Sequence, residues 1–256
     1  MNQGDLTGRV ALVTGGSKGI GRAISLALAQ AGADIALLLH GDRAAGERTV
    51  QELRERGHRA QAWYADIADR AQVAGAIEAM CARYGRIDML VNNAGANGSG
   101  DLLSVADDEW QRVIQVNLTG SFVVATETAK VMRARGGGGI VNIAGASAHR
   151  CYPGAGAYGP AKAAIINLTR QMAVEWAPYG IRVNGVSPGP VREDTPWQQH
   201  EPALAAEVAR LPLRRAGLPE EIAGAVAYLL SDSAAYITGH MLAVDGGAHC
   251  TWYMTA

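Results

Sequence analysis

Short runs of apolar residues alternate along the chain with longer stretches in which apolar positions recur every three to four residues. The short runs are typical of strands buried on both faces, and the longer stretches are typical of amphipathic helices. Strands that alternate with helices of this length predict an α/β fold with a mostly parallel sheet and helices on both faces. The predicted strands are residues 10–13, 34–39, 59–64, 88–91, 140–143, 181–186 and 240–244.

The longer stretches predict six helices, and one segment between them has no clear pattern. The predicted helices are residues 22–31, 43–56, 69–84, 109–135, 158–177 and 219–230. Prolines interrupt the pattern across residues 191–213, which indicates either a lid over a site or a plain surface excursion. Because no linker composition is found, we expect a single domain over residues 1–256 with a lid at 191–213.

Net charge, apolar runs and cysteine content limit the partners, metal sites and cellular compartment that we expect. The 256 residues carry a formal net charge of −1, without the basic surplus typical of a nucleic-acid binder. No apolar run is long enough to span a membrane, and residues 1–9 lack the apolar core of a signal peptide. Cys81, Cys151 and Cys250 are scattered without metal-type spacing, so we expect no metal site and a reducing, cytoplasmic compartment.

A glycine-rich stretch connects the first predicted strand to the first helix. Its glycines at 15, 19 and 21 follow a buried strand and precede an apolar helix that ends at Gly32. This context brings backbone N–H groups and a helix N-terminus to the place where a pyrophosphate can bind. The motifs noted at the ends of four strands, residues 14–21, 40–43, 66–67 and 92–95, lie where ligands bind in such sheets. The sequence therefore predicts a nucleotide site.

The end of the second strand bears on which nucleotide is bound. In proteins that prefer NAD, an acidic residue near this point holds the ribose 2′-hydroxyl, but Leu39 stands here. Lys18 and Arg43 are cations that can meet a 2′-phosphate instead, with His40 beside them. Asp42 is either a weak counter-indication or simply the N-cap of the next helix. The balance favours NADP over NAD.

Tyr158 and Lys162 are the candidate catalytic pair. Their spacing puts both side chains on one face of a helix. A phenol ordinarily ionises near pH 10, and an adjacent ammonium lowers that pKa towards neutrality, where proton transfer is efficient. Asn117 lies inside a predicted helix, where asparagine is unfavourable. It either faces solvent or is buried and hydrogen-bonded, and its apolar neighbours favour the buried state.

These residues together resemble the short-chain dehydrogenase/reductase family, from Arg9 to Gly247. The resemblance rests on Thr14-Gly15-x-x-x-Gly19-x-Gly21, Asn92-Asn93-Ala94-Gly95, Tyr158-x-x-x-Lys162 and Pro188-Gly189. The closing stretch, from Leu213 to Gly247, is similar to the 3-oxoacyl-carrier-protein reductase and sugar-alcohol dehydrogenase branches. The resemblance implies a Rossmann-type, doubly wound sheet of about seven strands, and a homotetramer or homodimer.

The resemblance also implies hydride transfer between NAD(P) and a small-molecule carbonyl or alcohol. Tyr158 would be the general acid or base, Lys162 would hold the nicotinamide ribose and lower the Tyr158 pKa, and Asn117 would support a proton-relaying water chain. Asp66 and Ile67 would contact the adenine, and Val191 the nicotinamide amide. The expected cofactor-binding residues are Gly15, Ser17, Lys18, Gly19, Ile20, Gly21, His40, Arg43, Asp66, Ile67, Asn93, Ala94, Gly95, Tyr158, Lys162, Pro188, Gly189 and Val191.

One departure from the family pattern concerns its third catalytic group, a serine whose position is occupied by Gly145. Either Ser147 reaches the site instead, or a substrate hydroxyl or water replaces the missing donor, or the protein binds cofactor without redox chemistry, as an isomerase, a dehydratase or a nucleotide-binding protein. We expect His149, Cys151 and Tyr152 to line the substrate side. A second departure is Glu193, with Asp194 after it, where the family often has a threonine; these acids either face the substrate or face solvent.

Overall fold

The strands form one sheet in the order β3-β2-β1-β4-β5-β6-β7, and every neighbouring pair is parallel. A computed structural model describes residues 5–250, so the predicted domain limits at residues 1 and 256 lie outside the described part. The strands are β1 (Val10–Thr14), β2 (Asp34–Leu39), β3 (Ala60–Tyr64), β4 (Met89–Asn92), β5 (Gly138–Ile143), β6 (Ile181–Pro188) and β7 (Met241–Val244). The predicted α/β class and seven-stranded sheet are confirmed.

The connectivity creates a crevice beside β1. From β1 the chain steps outwards to β2 and β3, and then returns to β4 on the other side of β1. The loops that leave β1 and β4 therefore diverge at the carboxyl end of the sheet. In doubly wound sheets such a switch point is where ligands bind.

Helices cover both faces of the sheet. They are α1 (Gly19–Gln30), α2 (Arg43–Glu55), α3 (Arg70–Tyr84), α4 (Asp107–Ile114), α5 (Ser121–Ala134), α6 (Tyr158–Trp176), α7 (Pro202–Val208) and α8 (Pro219–Leu230). One apolar cluster joins α1, α2 and α8 to the sheet, and a second joins α3, α5 and α6 to the opposite face. Within β1, Ala11 and Val13 belong to the first cluster and Leu12 to the second, which explains why the strand is apolar throughout.

Two elements differ from the predicted pattern. The helix predicted over residues 109–135 begins at Asp107 and contains a π-helical turn, Gln115–Gly120, between α4 and α5. The segment 191–213, predicted without regular structure, contains α7, which begins at Pro202. Proline is favourable in the first turn of a helix, so Pro202 is compatible with the start of α7. The three prolines in the segment together had instead indicated irregular structure. Among the helices of residues 5–250, none is long and apolar enough to cross a membrane.

Candidate active site

The glycine-rich turn between β1 and α1 is packed too closely for side chains. Gly15 and Gly19 have φ of +63° and +46°, a region that favours glycine. A Cβ on Gly21 would lie 2.2 Å from the Gly15 carbonyl oxygen and 2.5 Å from Asn93 Nδ2. Asn93 Nδ2 donates to the carbonyl oxygens of Thr14 (3.0 Å) and Gly15 (3.1 Å), so the turn is fixed to the end of β4.

The N-terminus of α1 opens at this turn. Lys18 is the N-cap residue, and its side chain makes no capping hydrogen bond, so first-turn N–H groups are left without a side-chain partner. A helix N-terminus of this kind binds anions through its N–H groups and its dipole. Ile20, in the first turn, lines the cleft described below, and Ser17 precedes the cap. The predicted pyrophosphate residues are thus neighbours in the structure.

Both cations predicted to bind a 2′-phosphate have partners: Lys18 in the glycine-rich turn and Arg43 just after β2. Lys18 Nζ forms an exposed ion pair with Asp42. Asp42 Oδ1 also accepts a hydrogen bond from Ala45 N at 2.9 Å, which confirms its interpretation as the N-cap of α2. The Arg43 guanidinium lies over the Tyr64 ring, with 4.2 Å between Cζ and the ring centroid. His40, between these groups and the strand, is exposed.

The end of β3 lies further along the same edge of the sheet. Asp66 Oδ1 accepts a hydrogen bond from Ala68 N at 2.9 Å, which shapes the turn into α3. Ile67 is buried beneath Gly120, where a Cβ would lie 2.7 Å from Ile67 Cγ1. Ala94 N donates to Thr14 Oγ1 at 3.0 Å, so β4 and β1 are joined beside this edge.

Tyr158 and Lys162 share one face of α6, as predicted, and Lys162 is almost fully buried. Lys162 Nζ donates to the Ile143 carbonyl oxygen at 3.0 Å and lies 5.7 Å from the centroid of the Tyr158 ring. Burial lowers the pKa of Lys162 to about 8. Burial raises the pKa of the Tyr158 phenol, opposite to the direction expected from a neighbouring ammonium.

Asn117 is fully buried in the π-helical turn, which confirms the prediction of a buried, hydrogen-bonding side chain. Its Nδ2 donates to the carbonyl oxygens of Ala96 (2.8 Å) and Val113 (3.0 Å), and its Oδ1 is buried without a partner among the described residues. A Cβ on Gly95 would lie 2.7 Å from that Oδ1 and 3.5 Å from Lys162 Nζ. Because Gly95 has no side chain, the space between the unpartnered Asn117 Oδ1 and the Lys162 ammonium stays open.

Gly145 and Ser147 lie on the wall opposite Tyr158. The φ of Gly145 is +154°, and a Cβ there would lie 4.0 Å from the Tyr158 hydroxyl and 3.7 Å from Ser147 Oγ. Ser147 belongs to the short 3₁₀ turn Ala146–Ala148. Its hydroxyl lines the cleft and forms no hydrogen bond within residues 5–250. Ser147 thus presents a free hydroxyl beside the position where a serine at 145 would have begun.

These groups open into one cleft of about 510 Å³, a volume typical of small-molecule sites. Seven of the predicted cofactor residues line it: Ile20, Asn93, Gly95, Tyr158, Lys162, Pro188 and Gly189. Val191 does not line it, although its neighbours Pro190 and Arg192 do; the Val191 backbone pairs with Gly217. Of the residues predicted on the substrate side, Tyr152 lines the cleft, whereas His149 Nε2 is hydrogen-bonded to Ser187 Oγ at 2.9 Å.

Sequence reasoning missed the contribution of the 191–213 segment to this cleft. Arg192 lines it, and α7 supplies Leu204 and Glu207. The missed signal was the proline at the start of α7, which would have placed both α7 residues on one helix. Glu193 and Asp194, the two acids weighed as substrate contacts, are exposed and lie outside this cleft.

A parallel sheet with a glycine-rich turn at its switch point, beside a cleft holding a Tyr–Lys pair, defines a dinucleotide-binding α/β protein. A family model described as enoyl-(acyl carrier protein) reductase matches residues 15–249. The 3-oxoacyl-(acyl-carrier-protein) reductase of Synechocystis sp. is 40% identical over 244 residues, which cover 94% of this chain and 97% of that protein. The chain belongs to the short-chain dehydrogenase/reductase family, whose members are NAD(P)-dependent oxidoreductases of alcohols and carbonyls.

Solved structures with bound cofactor are similar over nearly the whole chain. A blue fluorescent protein from a metagenomic library in complex with NADPH has a TM-score of 0.88 at 40% identity, with 95% of this chain and 99% of that chain covered. NAD⁺-bound xylitol dehydrogenase has a TM-score of 0.89 at 34% identity, with 94% and 99% covered.

Proposed function

We propose that the protein is an NADP-dependent oxidoreductase that transfers a hydride between the nicotinamide and a small carbonyl or secondary alcohol. The observation that carries the proposal is the convergence of the Tyr158 hydroxyl, the Ser147 hydroxyl and Lys162 on one cleft that begins at the glycine-rich turn. The bound cofactor would supply the hydride. The chain's own residues bind, orient and exchange protons.

The described residues fit a dinucleotide. The closeness of Gly21 to Gly15 leaves no room for a side chain, and α1 begins without a side-chain cap. We assign the pyrophosphate to the turn formed by Gly15, Ser17, Gly19, Ile20 and Gly21. The remaining assignments follow the same edge of the sheet: adenine at Asp66 and Ile67, adenosine at Asn93, Ala94 and Gly95, and the nicotinamide ribose at Lys162. We assign the nicotinamide to Pro188 and Gly189 in the cleft, with its amide reaching past the cleft wall to Val191.

Tyr158 is proposed as the proton donor in reduction and the acceptor in oxidation. Its hydroxyl faces the cleft, and Lys162, whose pKa burial lowers to about 8, can exchange a proton near neutral pH. The buried and unpartnered Oδ1 of Asn117 offers an acceptor on the other side of Gly95. We propose that protons reach Lys162 from this side through water.

We assign to Ser147 the hydrogen bond to the substrate oxygen that Gly145 is unable to make. The assignment is supported by its free hydroxyl at the cleft wall, 3.7 Å from the Cβ position of residue 145. An oriented donor of this kind contributes about 10²–10³ to the rate. Ser147 lies two residues further along the chain, and the 3₁₀ turn brings it back to the same wall.

NADP rather than NAD is proposed on the charges at the end of β2. Leu39 is buried where an acid would hold a ribose 2′-hydroxyl, and we assign a 2′-phosphate to Lys18 and Arg43, with His40 beside them. Asp42 opposes this preference only partly, because its carboxylate is engaged by Lys18 and by the N-terminus of α2. Titration with NADPH and NADH tests the proposal, and equal affinities would contradict it.

The central experiment is to incubate the protein with NADPH and a panel of carbonyl compounds and to follow the loss of NADPH absorbance. Tyr158→Phe removes the hydroxyl and keeps the ring, so kcat should fall by about 10²–10⁴ while NADPH binding is retained. Absence of turnover on every carbonyl, together with identical behaviour of Tyr158→Phe, would reject the oxidoreductase proposal.

Gly145 favours a second candidate, a cofactor-bound enzyme without net redox chemistry, such as an isomerase or dehydratase, or a nucleotide-binding protein. The distinguishing change is Gly145→Ser, with Gly145→Ala as the matched control that adds the same Cβ without the hydroxyl. If Gly145→Ser alone creates reductase activity from near zero, the second candidate is correct. If the wild-type protein already reduces carbonyls, the first candidate stands.

Three further proposals concern the molecule as a whole. We propose that residues 5–250 act as one dinucleotide-binding and catalytic domain, with residues 191–213 as a substrate lid. A homotetramer or homodimer is supported by Phe122 and Val174, which are exposed apolar residues on α5 and α6. A cytoplasmic location is supported by three free cysteines. Sedimentation of the purified protein tests the assembly.

A further inference from the structure

Arg192, which lines the cleft, and Arg150, which lies behind Tyr152, are each held by a glutamate of the 191–213 segment. Arg192 Nε donates to Glu201 Oε1 at 2.8 Å, and its Nη2 binds Glu201 Oε2. Arg150 Nη2 donates to Glu207 Oε1 at 3.4 Å. The side chains of these four residues are between 31% and 41% exposed, so solvent screens the pairs only partly.

Tyr152 extends the second pair across the cleft. Its hydroxyl donates to Glu207 Oε1 at 2.7 Å, and Arg150 Nη2 lies 3.3 Å from the same hydroxyl. Burial and the Glu207 carboxylate raise the pKa of Tyr152, so its phenol stays protonated. The β5–α6 loop and α7 are thus joined at the mouth of the cleft by a neutral network: one carboxylate, one guanidinium and one phenol.

This arrangement disfavours a substrate with a net charge at the end away from the carbonyl. An anionic group would meet arginines that are already paired, and it would approach the Glu207 carboxylate, which lines the cleft. A cationic group would approach Arg192, which also lines the cleft, in the same way. Two like charges at 4 Å repel by about 1–4 kcal/mol between water and a partly screened protein surface.

A neutral hydroxyl meets no such penalty and finds several partners. Glu207 Oε2 accepts no hydrogen bond within residues 5–250, and the Asn97 side chain, which also lines the cleft, makes none there. The Tyr152 oxygen retains a lone pair. One acceptor, one amide and one phenol therefore face the space beyond Tyr158.

We propose that the substrate is a neutral, hydroxyl- or amide-bearing carbonyl or alcohol, and that Glu207 selects it by rejecting anions. The inference rests on the proposed oxidoreductase function and adds a substrate class to it. Glu207 acts on the part of the substrate away from the reacting carbon, so its effect falls on KM more than on kcat.

The test is a set of small ketones arranged in matched neutral and anionic pairs, of which levulinamide and levulinate are one, assayed with NADPH. These two share their carbon skeleton and differ by one charge. We expect kcat/KM to be about fivefold higher for the neutral member, which is the upper end of the range for one partly exposed charge interaction. Glu207→Gln keeps an acceptor for Tyr152 and removes the charge, so the preference should shrink, mainly through a lower KM for the anion.

Glu78→Gln is the matched control, because it removes the same charge from an exposed residue of α3 that does not line the cleft. It should leave the preference unchanged. Equal kcat/KM for the two members of the pairs, preference for the anion, or the same effect from both variants would overturn the inference and leave the oxidoreductase proposal intact. Failure to oxidise NADPH with any ketone would instead reject the proposed function itself.

Discussion

The hydroxyl of Tyr158 lies 4.0 Å from the point where a Cβ on Gly145 would stand. The two residues therefore face each other across the cleft, and Gly145 contributes no side chain to the space between them. Ser147 Oγ lies 3.7 Å from the same point, so a hydroxyl is present on this wall although residue 145 has no side chain. Under our proposal, Ser147 would replace the missing donor without rearrangement of β5, the strand that precedes it.

Ser147→Ala should therefore lower the catalytic rate nearly as much as the loss of an oriented hydrogen-bond donor does in other enzymes. We expect kcat to fall by about 10²–10³, because the substrate oxygen loses its hydrogen bond in the transition state. Affinity for NADPH should be unchanged, which steady-state kinetics and a binding titration check together. Ser233→Ala, an exposed serine far along the chain, is the control. A rate within twofold of wild type for Ser147→Ala would remove Ser147 from the mechanism.

Asp42→Asn should strengthen the preference for NADPH. Asparagine is as good an N-cap as aspartate, so α2 keeps its cap while Lys18 loses its carboxylate partner. The freed ammonium can then approach a 2′-phosphate, and we expect the ratio of NADH to NADPH dissociation constants to rise about threefold at low salt. Lys18→Gln should move the ratio the other way. An unchanged ratio in both variants would exclude Lys18 from cofactor discrimination.

Gly21→Ala should destabilise the protein and weaken cofactor binding. The added Cβ would stand 2.2 Å from the Gly15 carbonyl oxygen, so backbone must move and the Asn93 bonds must lengthen. Overpacking of this kind costs about 1–3 kcal/mol of unfolding free energy. Gly224→Ala in α8 is the control, because its Cβ meets nothing within 4 Å and should stabilise by about 0.4–1 kcal/mol. Urea unfolding and NADPH titration of both variants measure the contrast.

Stability should rise with pH in the alkaline range because of Lys162. Its pKa is about 8 in the folded protein against an ordinary value of 10.5. Between these values the unfolded chain binds the proton and the folded chain does not, so the free energy of unfolding increases as pH rises. The penalty of the buried charge is fully present below about pH 8. The maximum gain is roughly 3 kcal/mol.

Lys162→Met removes that titration and should flatten the profile. The difference in unfolding free energy between wild type and Lys162→Met, measured in urea at pH 8 and pH 10, isolates the lysine from the cysteines and surface groups. If this difference does not change with pH, folding does not lower the pKa of Lys162, and the prediction is wrong. Above pH 10 the raised pKa of Tyr158 adds an opposing effect, so the comparison ends there.

The glycine-rich turn and its position beside the cleft were predictable because their requirements are local. The close approach of the backbone at Gly21 requires glycine. A helix that follows a buried strand requires only a regular spacing of apolar residues. Both features are visible in residues that are close together in the sequence. Asn117 was also predictable, since an asparagine among apolar residues in a helix needs hydrogen-bond partners. Its π-helical surroundings were not, because that turn depends on contacts with Ala96 and Val113 rather than on residue type.

The substrate half was not predictable, because it depends on segments distant in sequence. Glu207 meets Tyr152 across the cleft only when α7 is folded back over the β5–α6 loop. The pKa of Tyr158 was expected in the wrong direction for a similar reason. Residue spacing gives the nearness of Lys162, but the extent of burial around both groups belongs to the whole fold.

The π-helical turn Gln115–Gly120 holds one residue more than an α-helical turn, while α4 and α5 on either side of it stay in register with the core. Removing one residue there would restore an ordinary α-helix and abolish the wide turn from which Asn117 Nδ2 reaches the Ala96 carbonyl oxygen. Single-residue insertions and deletions should therefore be absent from this turn in functional homologues, whereas substitutions that keep its length are open to selection.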